Sequence, residues 1–518
     1  MENANKKSHK GLIISLILLL LIGIIVLCCF LLLGGSKGDD SKDSNTSSRE
    51  GKSEYRLTGN NIEDFDLYFL KHENPEKNII YSPLSIKYAL KMLEEGSNGE
   101  TEQQIADIVG DYKAKKYENN ANMSFANALF IKDEFASGIE ETYKSTLKSR
   151  YNAEVQTDSF ATPDNLNKWV SDKTFGLIKN LFDDVSDKDF ILVNALAIDM
   201  EWVNKFKDDY KSYSQTFAHE NFYSYVNSLS GGGYETLDFN GVKNAKAVDF
   251  KAVANKYDIV KELGEDNIKN TVRTEYNKFL ANGGCGGGEL STDAYLDQYM
   301  KEIKQNYNVV SSSTDFMFYN NDDIKVYAKD LKTYGSTTLQ YIGIMPKNEK
   351  LSEYLKTINS KKLSEIIGEL KEVKLENFKE GVVTEVKATI PLFKYDYTLD
   401  LVEDLKSLGI TNAFDKDKAD LSKISSFKEY IGDASHKATI EFSNTGIKAS
   451  AATMMGGMGA GGCEFDYTYD VPVETIDMTF DKPFMYIIRD KNTKEVWFVG
   501  AVYEPIIYSP NYSSGMVE

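Results

Sequence analysis

The 518-residue sequence contains only four histidines and four cysteines, and it lacks the spaced motifs of common zinc and hydrolase sites. HExxH, CxxC and GxSxG are all missing, which removes the usual signatures of metalloproteases, zinc ribbons and α/β-hydrolases. It also lacks a basic excess, because 60 Lys and Arg stand against 79 Asp and Glu and leave a net charge of −19. A general nucleic-acid binder needs the opposite balance. We therefore predict a protein that is not an enzyme, binds no nucleic acid and requires no metal or cofactor.

One long apolar run lies near the N-terminus, from Leu12 to Leu33. As a helix it would span roughly 33 Å, enough to cross the hydrocarbon core of a membrane. Lysines precede the run and aspartates follow it, which predicts residues 1–11 in the cytoplasm and the rest outside. We therefore expect a single-pass transmembrane anchor at 12–33 and a flexible tether at 34–54, with the main domain outside the cell membrane. A cleaved signal peptide, which would make the protein secreted, is the alternative.

Helical and strand patterns alternate from about residue 55, which predicts an α+β domain with large sheets over residues 55–507. A helix is expected to begin at Pro83, with Ser82 as its cap. The nearly all-apolar run Phe190 to Ile198 is typical of a strand buried on both faces. Residues 224–313 show helical patterns without clear strand alternation, and we predict a helical insertion there.

A series of short motifs follows in order between about residues 56 and 505. They are Asn78-Ile-Ile-Tyr-Ser82-Pro83-Leu-Ser85, Phe125-Ala-Asn-Ala-Leu-Phe130, Leu192-Val-Asn194-Ala-Leu, Leu405-Lys-Ser-Leu-Gly-Ile-Thr-Asn-Ala-Phe414, His436-Lys-Ala-Thr-Ile-Glu441 and Phe480-Asp-Lys-Pro483-Phe484. Each motif alone is weak, but in this order the chain resembles the serpins, the serine-protease-inhibitor superfamily. The resemblance implies a serpin fold of three β-sheets with about eight or nine helices. It also implies an exposed reactive-centre loop, which falls at 443–479.

The resemblance implies a suicide-substrate inhibitor of extracellular serine proteases, expected to be monomeric. In this family the target protease cleaves the loop, whose N-terminal part then enters the central sheet as a new strand. The alternative function is that of a non-inhibitory serpin, acting as a surface binding or adhesion module through its insertion. Small residues at the loop hinge favour the inhibitor.

The segment after Phe442 is rich in small residues and could enter a sheet without clash. In an extended conformation one face carries Ile447, Ala449, Ala451 and Thr453, and the other carries Lys448, Ser450 and Ala452. The first face can be buried while Lys448 stays in water. By resemblance, Gly446 and the first face form the loop hinge.

The scissile bond of the family lies about fourteen residues beyond the hinge glycine, which here implies the bond between Ala460 and Gly461. No Lys or Arg lies between Lys448 and Lys482. We therefore expect an elastase- or subtilisin-like target rather than a trypsin-like one.

The resemblance also implies a hydrogen-bonded centre beneath the sheet that must open, formed by Ser82, Ser85, Asn194 and His436. Taken alone, His436 is typical of a satisfied core histidine, so its expected role is in gating and not in acid–base chemistry. Two features depart from the family pattern. Asn444 stands where the family usually has Glu, and the region before Ser124 is too short for a helix that often carries heparin-type binding.

Cys285 and Cys463 are each embedded in glycines, and both follow the apolar run. Such flexible flanks allow two backbones to approach to the Cα separation of roughly 5.5 Å that a disulfide needs. By resemblance, the insertion leaves the domain near the sheet that receives the strand after the reactive loop. A bridge between these cysteines and a pair of free thiols both remain open.

Overall fold

The computed structural model describes residues 62–73, 76–206, 234–282, 291–305, 307–312, 314–447 and 472–507. All of them belong to one compact unit, residues 49–518. The α+β class predicted from the sequence is confirmed, with helices and several sheets interleaved along the chain.

Eleven α-helices occur in these ranges, more than the eight or nine expected, and three of them lie within residues 224–313. In chain order they are α1 Ile62–Glu73, α2 Pro83–Gly96, α3 Gly99–Val109, α4 Glu141–Tyr151, α5 Asp164–Lys173, α6 Ile259–Leu263, α7 Glu265–Ala281, α8 Thr292–Gln305, α9 Leu351–Thr357, α10 Ser360–Gly368 and α11 Leu401–Leu408. Three 3₁₀ helices span Asp133–Gly138, Leu375–Asn377 and Asn412–Phe414.

Nineteen β-strands accompany these helices in the described residues. They are β1 Ile79–Tyr81, β2 Met123–Lys132, β3 Glu154–Asp158, β4 Phe190–Ile198, β5 Met200–Glu201, β6 Tyr234–Phe239, β7 Val242–Asn255, β8 Val309–Ser312, β9 Met317–Asn320, β10 Ile324–Asp330, β11 Leu339–Pro346, β12 Lys371–Glu372, β13 Val383–Pro391, β14 Phe393–Asp400, β15 Ser435–Phe442, β16 Gly446–Ile447, β17 Val473–Asp477, β18 Phe484–Asp490 and β19 Val496–Val502.

The strands form four hydrogen-bonded sheets instead of the three expected. One has seven strands in the order β1-β19-β18-β11-β10-β9-β12, and one has five, β17-β13-β7-β6 with β8 on β7. The other two are β3-β2-β4 and β14-β15-β16-β5. Only Asp199 separates β4 from β5 along the chain, so a strand of one of these last two sheets continues directly into a strand of the other. We call them the two halves of the central sheet.

Apolar side chains from the central and seven-stranded sheets share one large core, in which Trp202, Phe442 and Trp497 are almost fully buried. A second cluster lies under α5, where Trp169 and Val170 pack with the β4 residues Val193 and Ala195. Successive residues of a strand point to opposite faces, so β4 sends odd-numbered residues toward α5. Its even-numbered residues Leu196 and Ile198 belong to the large core.

The predicted helical insertion is only partly helical. Helices α6, α7 and α8 lie within residues 224–313, but β6 and β7 form an antiparallel hairpin there. Its two-residue turn is Asn240-Gly241, with φ values of 51° and 82°. A positive φ at both central residues is the geometry of a type I′ turn, which Asn-Gly favours. The sequence therefore held a hairpin signal that the helical interpretation overlooked.

No helix in the described part of the chain is long and apolar enough to cross a membrane. This finding overturns the expected single-pass location in the cell membrane. The segments that carried that expectation, residues 1–11, 12–33 and 34–54, lie outside the described residues.

Candidate functional site

The central sheet is divided between β4 and β15. In the described residues β4 pairs with β2, and β15 pairs with β14 and β16, but no ladder joins β4 to β15. Leu196, Ala197 and Ile198 of β4 line the same narrow cavity as Thr439, Ile440 and Glu441 of β15. We call this gap the slot, and its upper end is the end nearest Gly446. Backbone groups facing such a gap lack a strand partner, so the slot has the form of a site for one more strand.

The first two hinge residues, Gly446 and Ile447, close the upper end of the slot. As β16 they pair with β5 on one side, Gly446 with Glu201 and Ile447 with Met200. On the other side Ile447 pairs with Phe442 of β15. Both ladders are antiparallel, so β4 and β15 run parallel to each other, and a strand continuing from Ile447 would be antiparallel to both.

A glycine is required at Gly446 because another backbone comes very close to it. A Cβ added there would lie 2.2 Å from the carbonyl oxygen of Met200 and 2.7 Å from the Cα of Glu201. Neither backbone atom can move aside as a flexible side chain could. The sequence pattern marked this glycine as a hinge, and the structure supplies a steric reason for its identity.

Two aromatic residues hold the chain just before the hinge. The indole Nε1 of Trp202 donates to the carbonyl oxygen of Ser443 at 2.9 Å. The backbone N–H of Phe206 donates to the carbonyl oxygen of Asn444, also at 2.9 Å. The backbone N–H of Trp202 also donates to the carbonyl oxygen of Thr445 at 3.1 Å. Asn444 is therefore held through its backbone, where the family usually has Glu. No sequence pattern indicated this clamp.

A buried lysine lies beneath the clamp. The ammonium of Lys329 lies 4.9 Å from the centre of the Phe206 ring and donates to the carbonyl oxygen of Asp315 at 2.8 Å. Burial lowers the pKa of Lys329 to about 7, although Asp315 and Asp330 act in the opposite direction. No sequence pattern indicated this residue, because a single lysine in strand β10 resembles any solvated position.

The four residues of the expected sheet-opening centre line one small cavity below the slot: Ser82, Ser85, Asn194 and His436. The backbone N–H of Ser82 donates to Nε2 of His436 at 2.9 Å, and the N–H of Ser85 donates to Oγ of Ser82 at 3.1 Å. Asn194 lies across the slot and donates from Nδ2 to Oδ1 of Asn127 at 2.6 Å. The sequence analysis did not single out Asn127. The role of the centre in opening the sheet remains a prediction.

The imidazole of His436 is neutral in this arrangement. A backbone N–H can only donate, so Nε2 must be the unprotonated nitrogen. Burial of the ring lowers the pKa of His436 to about 4. This satisfied, neutral imidazole suits a structural role better than proton transfer near pH 7.

The remaining predicted site residues lie outside the described residues. These are the hinge residues Ala449, Ala451 and Thr453, the scissile pair Ala460 and Gly461, and the two cysteines Cys285 and Cys463. Their roles stay predictions.

His436 gives the folded protein a defined acid sensitivity. Its folded pKa lies below the unfolded value of about 6.5, so the unfolded state binds the proton more readily. Stability contributed by the neutral ring is therefore present above pH 6.5 and is lost as the pH falls toward 4. We expect the unfolding free energy of the parent protein, measured by urea titration, to fall as the pH is lowered from 6.5 to 4. This fall should exceed that of the His436→Gln variant by up to about 3 kcal/mol. Identical pH slopes in the two proteins would contradict the assignment.

The close approach at Gly446 predicts a second outcome. Gly446→Ala should lower the unfolding free energy by about 1–3 kcal/mol, because the new methyl group collides with backbone. Gly368, at the end of α10, is the matched control, since a Cβ there meets nothing within 4 Å. Gly368→Ala should leave stability unchanged or slightly higher. Equal effects of the two substitutions in urea unfolding would show that the hinge is not packed as described.

Comparison with known proteins places these features in one family. The serpin (serine protease inhibitor) family model matches residues 64–227 and 296–505. Iripin-5 of Ixodes ricinus is 24% identical over 476 residues, which cover 87% of this chain and 95% of Iripin-5. Mouse neuroserpin (Mus musculus) is 25% identical over 460 residues, 84% of this chain and 88% of neuroserpin.

Solved structures show the same fold at lower identity. Native tengpin, a thermophilic serpin, aligns with a TM-score of 0.57 and 21% identity over 87% of this chain and 97% of tengpin. Thyroxine-binding globulin in complex with thyroxine gives a TM-score of 0.56 and 17% identity over 86% of this chain and 98% of the globulin. Because the family model matches most of its length, the chain belongs to the serpin family.

Proposed function

We propose that the protein is a suicide-substrate inhibitor of extracellular serine proteases. The target would cleave the reactive-centre loop, and the residues after Ile447 would then enter the slot as a new strand. Serpins are generally protease inhibitors rather than enzymes, and serpin homologues are often extracellular. The observation that carries the proposal is the position of Gly446 and Ile447, which already pair with both β5 and β15 at the head of an open slot.

The pairing of Ile447 fixes the register for the residues that follow it. Ile447 lies opposite Met200 on one side and Phe442 on the other. Because both pairings are antiparallel, each later residue of the loop would lie opposite the next lower-numbered residue of both neighbours. Ala449 would then lie between Ile198 and Ile440. Both of these side chains are buried in the large core. The same face would receive Ala451 and Thr453, in agreement with the alternation in the sequence.

Continuing this register brings Thr453 level with Asn194 and His436. Oδ1 of Asn194 has no hydrogen-bond partner among the described residues. Nε2 of His436 already accepts from Ser82, which leaves the Nδ1–H of the neutral ring as a donor. A threonine hydroxyl can donate to the amide oxygen and accept from the imidazole. The sheet-opening centre would thus acquire the bonds it lacks when the loop inserts.

The opposite face of the inserted strand suits a charged residue. Lys448 would lie between Asp199 and Glu441, and Glu441 is only partly buried at the rim of the slot.

Pairing some fourteen residues of loop, at about 1 kcal/mol net per hydrogen bond, provides on the order of 10 kcal/mol to drive insertion. The alternative, a non-inhibitory serpin serving as a surface binding or adhesion module, would not need the open slot.

Hinge substitutions test the proposed facing. Ala451→Arg puts a charge under the sheet, which costs several kcal/mol and slows insertion, so the acyl-enzyme is hydrolysed before it is trapped. We expect the stoichiometry of inhibition to rise severalfold as the inhibitor becomes a substrate. Ser450→Arg is the control, because its side chain would lie on the outer face beside Thr439. If both variants formed detergent-stable adducts equally well, the assignment of residue 451 to the buried face and residue 450 to the outer face would be wrong.

The scissile bond can be located directly. Incubation with an elastase- or subtilisin-like protease should release a C-terminal peptide that begins at Gly461. Trypsin should not cut between Lys448 and Lys482, because that segment contains no Lys or Arg. Mass spectrometry of the released peptide decides the matter. A cut before Gly456 or after Tyr469, or a protein cleaved by every protease without any stable adduct, would favour the non-inhibitory alternative.

A further inference from the structure

Below the slot, the gap in the central sheet widens into a larger cavity of about 200 Å³. We call it the lower cavity. Helices α2 and α11 supply much of its apolar lining through Leu90, Leu93, Leu401 and Leu405, each at most 7% exposed. An engineered apolar cavity of about 150 Å³ binds benzene, so the lower cavity has room for one aromatic ring or a short alkyl chain.

Two polar atoms facing this cavity have no hydrogen-bond partner among the described residues. They are Oγ of Ser85, whose residue is 2% exposed, and Oδ1 of Asn194. A buried polar atom left without a partner costs about 1–3 kcal/mol, so such atoms indicate a missing group. Both atoms accept hydrogen bonds, and a ligand that carries a donor would satisfy them.

The rim of the lower cavity is strongly acidic. Five carboxyl groups line it against one lysine: Asp184, Asp187, Asp189, Glu429 and Asp433, with Lys188. Lys188 is already paired with Asp187 at 2.9 Å. On the neighbouring strand β2, Lys132 is engaged with Glu134 at 3.1 Å and with the carbonyl oxygen of Ser186 at 3.2 Å. Among the residues that line the lower cavity, carboxyl groups therefore outnumber lysines five to one.

One member of this rim is poised to respond to a cation. The carboxyl of Glu429 is 7% exposed and hydrogen-bonded to that of Asp189. Two carboxyl groups can form such a bond only when one of them keeps its proton. Burial and the adjacent Asp189 raise the pKa of Glu429 to about 8. His436 also lines the cavity; burial lowers its pKa to about 4, so its ring is neutral near pH 7 and supplies no balancing charge.

We propose that the lower cavity is a binding site for a small amphiphilic cation, an aromatic or short alkyl body that carries one ammonium group. The apolar body would lie against Leu90 and Leu405, and the ammonium would lie at the rim between Asp189 and Glu429. The net negative rim selects against an anion, and a neutral ligand of the same shape would not stabilise the ionised form of Glu429. The carboxyl oxygens of the rim suit an ammonium, which has three donors and no acceptor.

The position of the cavity links this site to loop insertion, a consequence that rests on the proposed function. In the register set by Ile447, residues 455–460 would pass across the lower cavity, with Met458 level with Asp189. A bound ligand would occupy that path and slow the last part of insertion. The binding itself requires no protease, so its test is independent of whether the protein is an inhibitor.

The primary experiment compares three ligands of one shape by calorimetric titration of the full chain at pH 7. These are 2-phenylethylamine, 2-phenylethanol and 3-phenylpropionate. We expect one molecule of the amine to bind at least about tenfold more tightly than the alcohol, with no binding of the anion. Because the ammonium favours ionised Glu429, binding should also release protons, seen as a heat that depends on the ionisation enthalpy of the buffer. Equal binding of amine and alcohol, or no binding of either, overturns the proposal.

Variants then locate the site. Glu429→Gln and Asp189→Asn should each weaken the amine about tenfold and abolish the proton release, while the alcohol is unaffected. Ala89 lines the cavity, and Ala89→Phe should fill it and remove binding of both ligands. Asp172→Asn, on the exposed side of α5, is the charge-matched control and should bind as the parent does. Circular dichroism checks folding in each case. Undiminished amine binding by folded Ala89→Phe would place the ligand elsewhere and overturn the assignment.

Discussion

The pairing that β4 and β15 do not make is the constraint on which the rest of the molecule depends. The two strands run parallel, line one slot and leave their facing backbone groups without a ladder in the described residues. Unpaired backbone groups are costly, so this sheet is stable only as long as something holds its halves apart or completes them. Gly446 and Ile447 complete the sheet at the upper end, where Ile447 pairs both with β15 and with β5, the short strand that continues the chain path of β4. Pairing the free backbone groups of β4 and β15 below Ile447 would release free energy. An inhibitor of this class would use that free energy to drive loop insertion.

The clamp above the slot shows how the hinge is held in a chain that has Asn444 in place of the usual glutamate. Backbone bonds from Trp202 and Phe206 grip residues 443–445, and the indole adds a third bond. Backbone contacts do not depend on the charge of a side chain, so the grip is insensitive to salt. Lys329 is buried under Phe206, and burial lowers its pKa to about 7. The upper end therefore relies on steric fit and aromatic packing, and a glycine at position 446 becomes obligatory.

The sequence predicted features that depend on neighbouring residues in the chain, such as the ends of a helix or strand. It did not predict features that depend on which strands lie side by side. Strand β4 has the predicted bounds because an unbroken apolar run marks a strand buried on both faces. Helix α2 begins at Pro83 because proline and a serine cap fix a helix start. Helix α5 ends at Lys173, just before Phe175 and Gly176 adopt positive φ, and no apolar pattern marks that end. The gap between β4 and β15 and the meeting of Asp189 with Glu429 could not be predicted, because alternation shows which face is buried but not which strand lies beside it.

The chain is anchored in different ways on the two sides of the proposed reactive loop, and helices α6, α7 and α8 account for part of the difference. The far end leads into β17, which pairs with β13 from Val383 onward. Helices α6, α7 and α8 build a second core against that same sheet, burying Val253 of β7 and Val383, with Tyr276 and Tyr295 stacked at 4.2 Å. The near end instead leads to the slot, where the central sheet lacks a strand. A cut between the two ends would therefore release the near segment toward an unfilled site and leave the far segment on a sheet backed by its own core. Under the proposed function, this asymmetry would give loop insertion its direction.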